Sequence, residues 1–347
     1  MSNKWPSLVL VTGATGFIGA NIVDSLLSRG LRVRGTTRSL KKGELMKQAR
    51  PQYASQLEFV QIGDISQIGA FDHVMDGVDA VIHTASPVTY DVKDNEKELI
   101  LPAINGVKSI LKACNLPGTK VRRLVVTSSF AAVLDVEKNN ILGPDFTYTG
   151  EHWNPITYEE SIHPNASPVV AYRGGKKFAE LAAWDFIAKE KPQFDLVTLC
   201  PPMVFGRIVH PISDPSELNE SNSNLWKIAQ GSDPLPEARV PGWINVKNLA
   251  EAHVEALLRP EAGGKRYVLA STEPFTYEAA ADIIKEEFPW ARDVVTKNYV
   301  SGKEPVAKYK YDGARVAQEL GLTFTSFRDT VVDLIKQVKE LSSGGKS

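Results

Sequence analysis

The sequence predicts an α/β protein: a doubly wound, seven-stranded, mostly parallel sheet with a smaller mixed lobe toward the C-terminus. Three observations carry this. Short, uniformly apolar runs rich in Val, Leu and Ile alternate with helical patterns as far as Leu199, as strands buried on both faces do. The first run ends in Gly13, Gly16 and Gly19, three apart. The strict alternation stops after Gly206, where irregular stretches rich in Asn, Ser and Pro begin.

Leu8 to Val11 is the first strand, followed by Thr12-Gly13-Ala14-Thr15-Gly16-Phe17-Ile18-Gly19. Phe17, Ile18, Ile22, Val23, Leu26 and Leu27 recur at helical spacing, and Gly30 stops the helix. Glycines so placed let the chain turn tightly, bring backbone N–H groups against a pyrophosphate and pack helix on strand. The helix N-terminus adds partial positive charge there. A second strand at Leu31 to Thr37 closes a βαβ unit of about thirty residues, the Rossmann-type context in which such a loop binds a dinucleotide.

The second strand ends at Gly35-Thr36-Thr37-Arg38, where a nicotinamide cofactor is selected. NAD calls for a carboxylate about twenty residues past the glycines. No Asp or Glu lies between Asp24 and Glu44, whereas Arg34, Arg38, Lys41 and Lys42 do. A guanidinium fork and a nearby ammonium suit a 2′-phosphate, so Arg38 with Lys42 predicts NADP(H).

Leu57 to Ile62 reads as the third strand, and Gly63-Asp64-Ile65 at its end puts Asp64 where it meets an adenine amino group or caps a helix starting near Ser66. Val78 to His83 is the fourth strand. Thr84-Ala85-Ser86-Pro87 follows, where strand order reverses and ligands bind. His83, at the end of a buried strand, is expected to be held by backbone hydrogen bonds rather than to act as a base. Glu96 to Asn115 is a long core-facing helix, and Val121 to Thr127 a fifth strand ending in Ser128-Ser129. Asp135 to Ser167 is too long and irregular for an ordinary connection and reads as a functional rim.

Ala171-Tyr172-Arg173-Gly174-Gly175-Lys176 opens an Ala-rich helix to about Lys189, and Phe194 to Leu199 is the sixth strand, followed by Cys200-Pro201-Pro202-Met203-Val204-Phe205-Gly206. Then come a polar loop at His210 to Asn224, a short helix at Leu225 to Gln230, a helix at Val246 to Leu258, a seventh strand at Lys265 to Ala270, further helix, and a disordered-looking tail from Ser342 to Ser347. Residues 1–205, with the Trp243–Arg259 helix and the Lys265–Ala270 strand region, are expected to form the dinucleotide-binding domain, and 206–242 with 271–347 the substrate lobe.

Tyr172 and Lys176 lie four apart, hence on one helix face. Hydride reduction of a carbonyl needs a proton for the developing alkoxide, and a phenol of pKa near 10 is a poor donor or base at neutral pH. A neighbouring ammonium is expected to lower that pKa and also to hold the nicotinamide ribose. Ser129, at the end of the preceding strand, is placed to hydrogen-bond the substrate oxygen.

Taken together, these residues resemble the extended short-chain dehydrogenases/reductases, in the branch holding dihydroflavonol reductase, cinnamoyl-CoA reductase and the fungal and yeast NADPH-dependent carbonyl reductases. The resemblance runs through Thr12 to Gly19, Arg38, Asp64, His83 to Pro87, Val126 to Ser129, Tyr172 to Lys176, Pro201 to Gly206 and Trp243 to His253. It implies a Ser129-Tyr172-Lys176 triad with Tyr172 as proton donor, Pro201 and Val204 beside the nicotinamide, and pro-S hydride transfer. The long gap between Ser129 and Tyr172 is similar to that of the fungal enzymes. Phe130, Val169 and Trp226 are candidates for an apolar substrate wall. Two departures stand out: Gly174-Gly175, costing about 1 kcal/mol each against alanine in a helix, and Asn245 and Asn248 where related sugar epimerases carry aspartates.

The expected function is therefore NADPH-dependent reduction of a ketone or aldehyde. The alternatives are a nucleotide-sugar epimerase or dehydratase, against which Ser128-Ser129 replaces the dehydratase acidic pair, and a non-catalytic NADP sensor, against which Tyr172 and Lys176 are retained. Composition agrees with an enzyme of small molecules: among 347 residues, 43% are hydrophobic and 23% charged, with a net charge of -1, which favours neither nucleic acid nor an anionic membrane. Two cysteines, Cys114 and Cys200, form no disulfide framework or metal quartet, and the short approach to the first strand makes a signal peptide unexpected. The expectation is a cytoplasmic monomer or homodimer.

Overall fold

Seven strands form one sheet in the order β10-β7-β5-β4-β1-β2-β3: Arg266–Tyr267 (β10), Asp195–Leu199 (β7), Arg123–Thr127 (β5), Ala80–His83 (β4), Leu8–Thr12 (β1), Arg32–Thr37 (β2) and Leu57–Gln61 (β3). The fold is that of a computed structural model, which describes residues 5–86, 93–137, 143, 145–302 and 309–344. Every pairing in this sheet is parallel. The order reverses between β1 and β4, where Thr12 stands opposite His83 in register, so the crevice outside their carboxyl ends is the place for a ligand.

Two apolar clusters cover the sheet, one gathering Ile22, Val23, Leu26 and Leu27 of α1 (Phe17–Ser28) with Leu249 and Val254 of α7 (Val246–Leu258). The other face holds Val107, Ile110 and Leu111 of α3 (Leu101–Cys114) with Ala179 and Ala183 of α5 (Pro168–Glu190). A helix read as continuous from Glu96 is in fact a π-helical segment, Glu96–Ile100, leading into α3. Pro102 has no N–H to continue a four-residue ladder, and the wider turn carries the chain past it.

A third apolar cluster packs Phe205, Phe275 and Phe327 around Trp243, with ring centroids 5.1 Å apart for Phe205 and Phe275 and 5.0 Å for Trp243 and Phe327. Two small parallel sheets were not legible in the sequence: β8 (Met203–Phe205) with β9 (Trp243–Asn245), and β6 (Thr147–Tyr148) with β11 (Lys310–Tyr311). Strands of two or three residues show no periodicity. The rim also contains a short helix α4 (Tyr158–Ile162) closed by a Thr157–Glu160 capping box, while residues 138–142 and 144 of it lie outside the described residues.

The helix expected at Leu225 begins earlier, as α6 (Glu220–Ala229), and the first part of the expected tail, Ser342 to Gly344, is the end of helix α10 (Phe327–Gly344); residues 345–347 lie outside the described residues. Both amides at the unusual positions are used. Asn245 accepts from Lys247 N at 2.8 Å, capping α7, and donates to Thr330 on α10 at 2.9 Å. Asn248 donates to the Thr323 carbonyl at 2.9 Å and accepts from Thr325 N at 2.8 Å. An aspartate cannot make both kinds of bond.

Candidate active site

The glycine loop is built for close approach. Gly13 has φ +67, and a Cβ on it would stand 2.9 Å from Thr84 Oγ1; a Cβ on Gly19 would overlap the Gly13 carbonyl. Gly16 is the N-cap of α1 and brings no side chain to its first turn, which leaves the backbone N–H groups of Phe17 and Ile18 for an anion. This cradle fits a dinucleotide pyrophosphate. Thr12 is buried, with its hydroxyl accepting from Thr84 N and Ala85 N, both at 3.1 Å, so it braces the crevice rather than lining it. Ser86, next in line, accepts a hydrogen bond from Lys176 Nζ at 3.1 Å, which links the crevice to α5; Pro87 lies outside the described residues.

Ser129 ends the β5 segment and Tyr172 sits in the second turn of α5, which is capped by Ser167 and opened by Pro168. The Ser129 hydroxyl faces the Tyr172 phenol closely enough to lower its pKa. Both line a cleft of about 140 Å³ with Phe130, Val169, Arg173 and Met203 among its walls. Burial raises the Tyr172 phenol above its ordinary value, with the Ser129 hydroxyl opposing. The expected lowering by Lys176 is not found: its ammonium stands 5.9 Å from the Tyr172 ring centroid and is itself lowered to about 8 by burial, with Glu180 opposing. Tyr172 is therefore held as a phenol, the form that can give up a proton.

The profile of the 3-beta hydroxysteroid dehydrogenase/isomerase family matches residues 10–297. The chain belongs to this family. It is 34% identical to the NADPH-dependent methylglyoxal reductase of Saccharomyces cerevisiae over 95% of this chain and 97% of that one. It is also 34% identical to the putative NADPH-dependent methylglyoxal reductase of Candida albicans, over 95% and 98%. The solved yeast methylglyoxal/isovaleraldehyde reductase with NADPH superposes with a TM-score of 0.86 at 33% identity, covering 97% of this chain and 99% of that one. Alfalfa vestitone reductase gives 0.72 at 25% identity, covering 96% and 98%. The seven-stranded parallel fold and the resemblance to extended short-chain dehydrogenases/reductases stand.

Within this family frame, the other expected positions divide. Arg38 is exposed at the end of β2, and among the described residues its guanidinium has no ion-pair partner, whereas Lys42 leans to Glu217 at 3.7 Å. Asp64 closes a turn instead of capping a helix: it accepts from Ser66 N at 2.9 Å and Ser66 Oγ at 2.7 Å, which lowers its carboxyl, and Ile65 packs toward Gly106. Pro201 accepts from Phe130 N at 2.9 Å, and Val204 is buried in the core, so Pro202 and Met203 face the cleft.

Trp226 is a correction. It is buried in the third apolar cluster with its ring 6.1 Å from Trp290, because its position on α6 falls on the apolar stripe with Leu225 and Ala229. His83 is fully buried with Nδ1 2.9 Å from the Thr12 hydroxyl, a side-chain partner rather than the expected backbone one, and burial lowers it to about 3, so it stays neutral near pH 7 and takes up no second proton.

The sequence reading missed Glu180. One turn beyond Lys176, it is buried, pairs with Arg266 at 2.8 Å and accepts from Ser128 Oγ at 2.6 Å. A carboxylate on the core face of an Ala-rich helix was the available signal. Gly174 and Gly175 are explained as well: a Cβ on Gly174 would overlap Ser161, and one on Gly175 would stand 3.1 Å from Leu99 Cδ2, so the bare helix face lets α4 and the π-helical segment close on α5.

Proposed function

We propose that this protein is an NADPH-dependent reductase of small ketones and aldehydes. The observation that carries the reading is the placement of Ser129 and Tyr172 in one cleft, joined to the glycine crevice through Lys176 and Ser86. NADPH, when bound, supplies the hydride. Ser129 and Tyr172 hold the carbonyl oxygen between two hydroxyls, and Tyr172 gives its proton to that oxygen as negative charge develops. Lys176 holds the ribose and offsets the charge left on the phenolate. Gly13, Gly16, Phe17, Ile18 and Gly19 receive the pyrophosphate, Asp64 and Ile65 border the adenine, Thr84, Ala85 and Ser86 line the crevice, and Arg38, assisted by Lys42, binds the 2′-phosphate. Pro201 and Val204 shape the nicotinamide end from behind Pro202 and Met203.

The division of labour between the dinucleotide half and the lobe belongs to the same proposal. No helix among the described residues is long and apolar enough to cross a membrane. We place the enzyme in a reducing cytoplasm, where the buried free thiols Cys114 and Cys200 suit the compartment.

The test is NADPH oxidation by the purified protein over aryl ketones, keto esters, dicarbonyls and aldehydes, with NADH in parallel. Turnover with NADPH is expected. Tight NADPH binding with no turnover of any carbonyl would move the reading to a cofactor sensor.

A further inference from the structure

The cleft that holds Ser129 and Tyr172 carries more positive charge than carbonyl reduction requires. Arg173, Arg239 and Glu220 all line it. Glu220 is taken by Arg239 at 2.9 Å. Arg173 is half-buried, and among the described residues no carboxylate pairs with it; the groups whose charges reach it are Arg239, a second cation, and the Tyr309 hydroxyl. Burial and Arg239 together lower its affinity for its own proton, the mark of a cation held in an unfavourable place.

Arg173 and Arg239 share this cleft, and with Glu220 already paired to Arg239 the Arg173 guanidinium is left open to an anion. Its planar fork matches a carboxylate. Adjacent helix positions diverge by about 100° around the axis, so an anion on Arg173 lies to one side of the Tyr172 hydroxyl, not on top of it. The cleft, about 140 Å³, is smaller than the roughly 300 Å³ at which pockets for drug-sized ligands begin.

We propose that Arg173 is the anion-binding residue of the substrate cleft, and that the substrates favoured here are small oxo acids, carbonyl compounds carrying a carboxylate. This rests on the reductase reading above and narrows it. The carboxylate docks on Arg173 while the ketone or aldehyde oxygen reaches Ser129 and Tyr172. The overall step is oxo acid plus NADPH plus one proton to hydroxy acid plus NADP⁺, with the carboxylate unchanged.

The experiment compares kcat/KM for pyruvate against methyl pyruvate and for 4-oxopentanoate against methyl 4-oxopentanoate, in the wild-type protein and in R173M, R173Q and R173K. The readout is the acid-to-ester ratio, whatever happens to the absolute rates. The wild type should favour the acid of at least one pair, and that ratio should fall about 10- to 100-fold in R173M and R173Q, the range for losing a charge-assisted hydrogen bond. R173K should keep part of it. Independently of any variant folding, pentanoate should inhibit wild-type ester reduction competitively, and pentanamide should not.

Equal ratios in wild type and R173M, or pentanoate no better than pentanamide, would overturn the assignment of Arg173 while leaving the reductase reading intact. Failure to reduce any carbonyl, neutral ones included, would overturn both.

Discussion

The Ser129 hydroxyl and the Tyr172 phenol line the same cleft, one supplied by the end of a central strand and the other by the second turn of the helix packed beside it. Removing the phenol oxygen alone should leave the helix and the cofactor crevice untouched. Tyr172→Phe is expected to lower kcat by about 10²-fold or more, the scale of a positioned proton donor, with NADPH affinity by fluorescence titration close to wild type. A variant retaining near wild-type rate would remove Tyr172 from the proposed chemistry.

Arg38 stands exposed at the end of β2 with no ion-pair partner among the described residues. Arg38→Ala should weaken NADPH about 10- to 100-fold and NADH much less, as expected for one charge-assisted contact to a phosphate. Equal losses in Kd for both cofactors would place the 2′-phosphate elsewhere.

Lys176 gives a pH-dependent stability. Burial lowers its ammonium from 10.5 to about 8 in the folded chain, so below pH 8 folding works against holding that proton, and the deficit lifts as pH rises toward the unfolded value. In the cofactor-free protein, Lys176→Met should raise the unfolding free energy at pH 7 by on the order of 3 kcal/mol, with the gap over wild type shrinking between pH 8 and 10.5. Urea denaturation across that range reads it, and a gap independent of pH would contradict the assigned burial.

Gly174→Ala sets a small helix-propensity gain against a collision with Ser161. Overpacking costs about 1–3 kcal/mol and the gain is about 1 kcal/mol, so a net loss of stability is expected, and Ser161→Gly in the same chain should recover it. Gly175→Ala meets only the Leu99 methyl at 3.1 Å, which can give way, and should be milder. Thermal unfolding of the wild type, Gly174→Ala, Ser161→Gly and the double variant closes the cycle.

Much of this architecture was legible because it is local. Leu8 to Thr12 and the glycines after it announce strand, turn and helix within one stretch, and Tyr172 and Lys176 share a helix face by spacing alone. What escaped the sequence depends on distant partners. Trp226 looks like a pocket aromatic until Trp290 is seen beside it. The lowering expected for the Tyr172 phenol counted the ammonium and not the burial that outweighs it. Pairings such as Thr147 with Lys310 are two residues long and have no pattern of their own.

Glu180 and Arg266, a buried pair, are 86 positions apart in the chain. During synthesis the carboxylate leaves the ribosome well before the strand that carries its counter-ion. A polypeptide ended at Phe205 keeps the whole glycine loop, Ser129, Tyr172 and Lys176, yet strands a carboxylate in the interior, a defect worth about 3–5 kcal/mol in other proteins. The segment that binds cofactor and the segment that makes it stable to do so are thus made at different times, and maturation of the active site waits on the edge of the sheet.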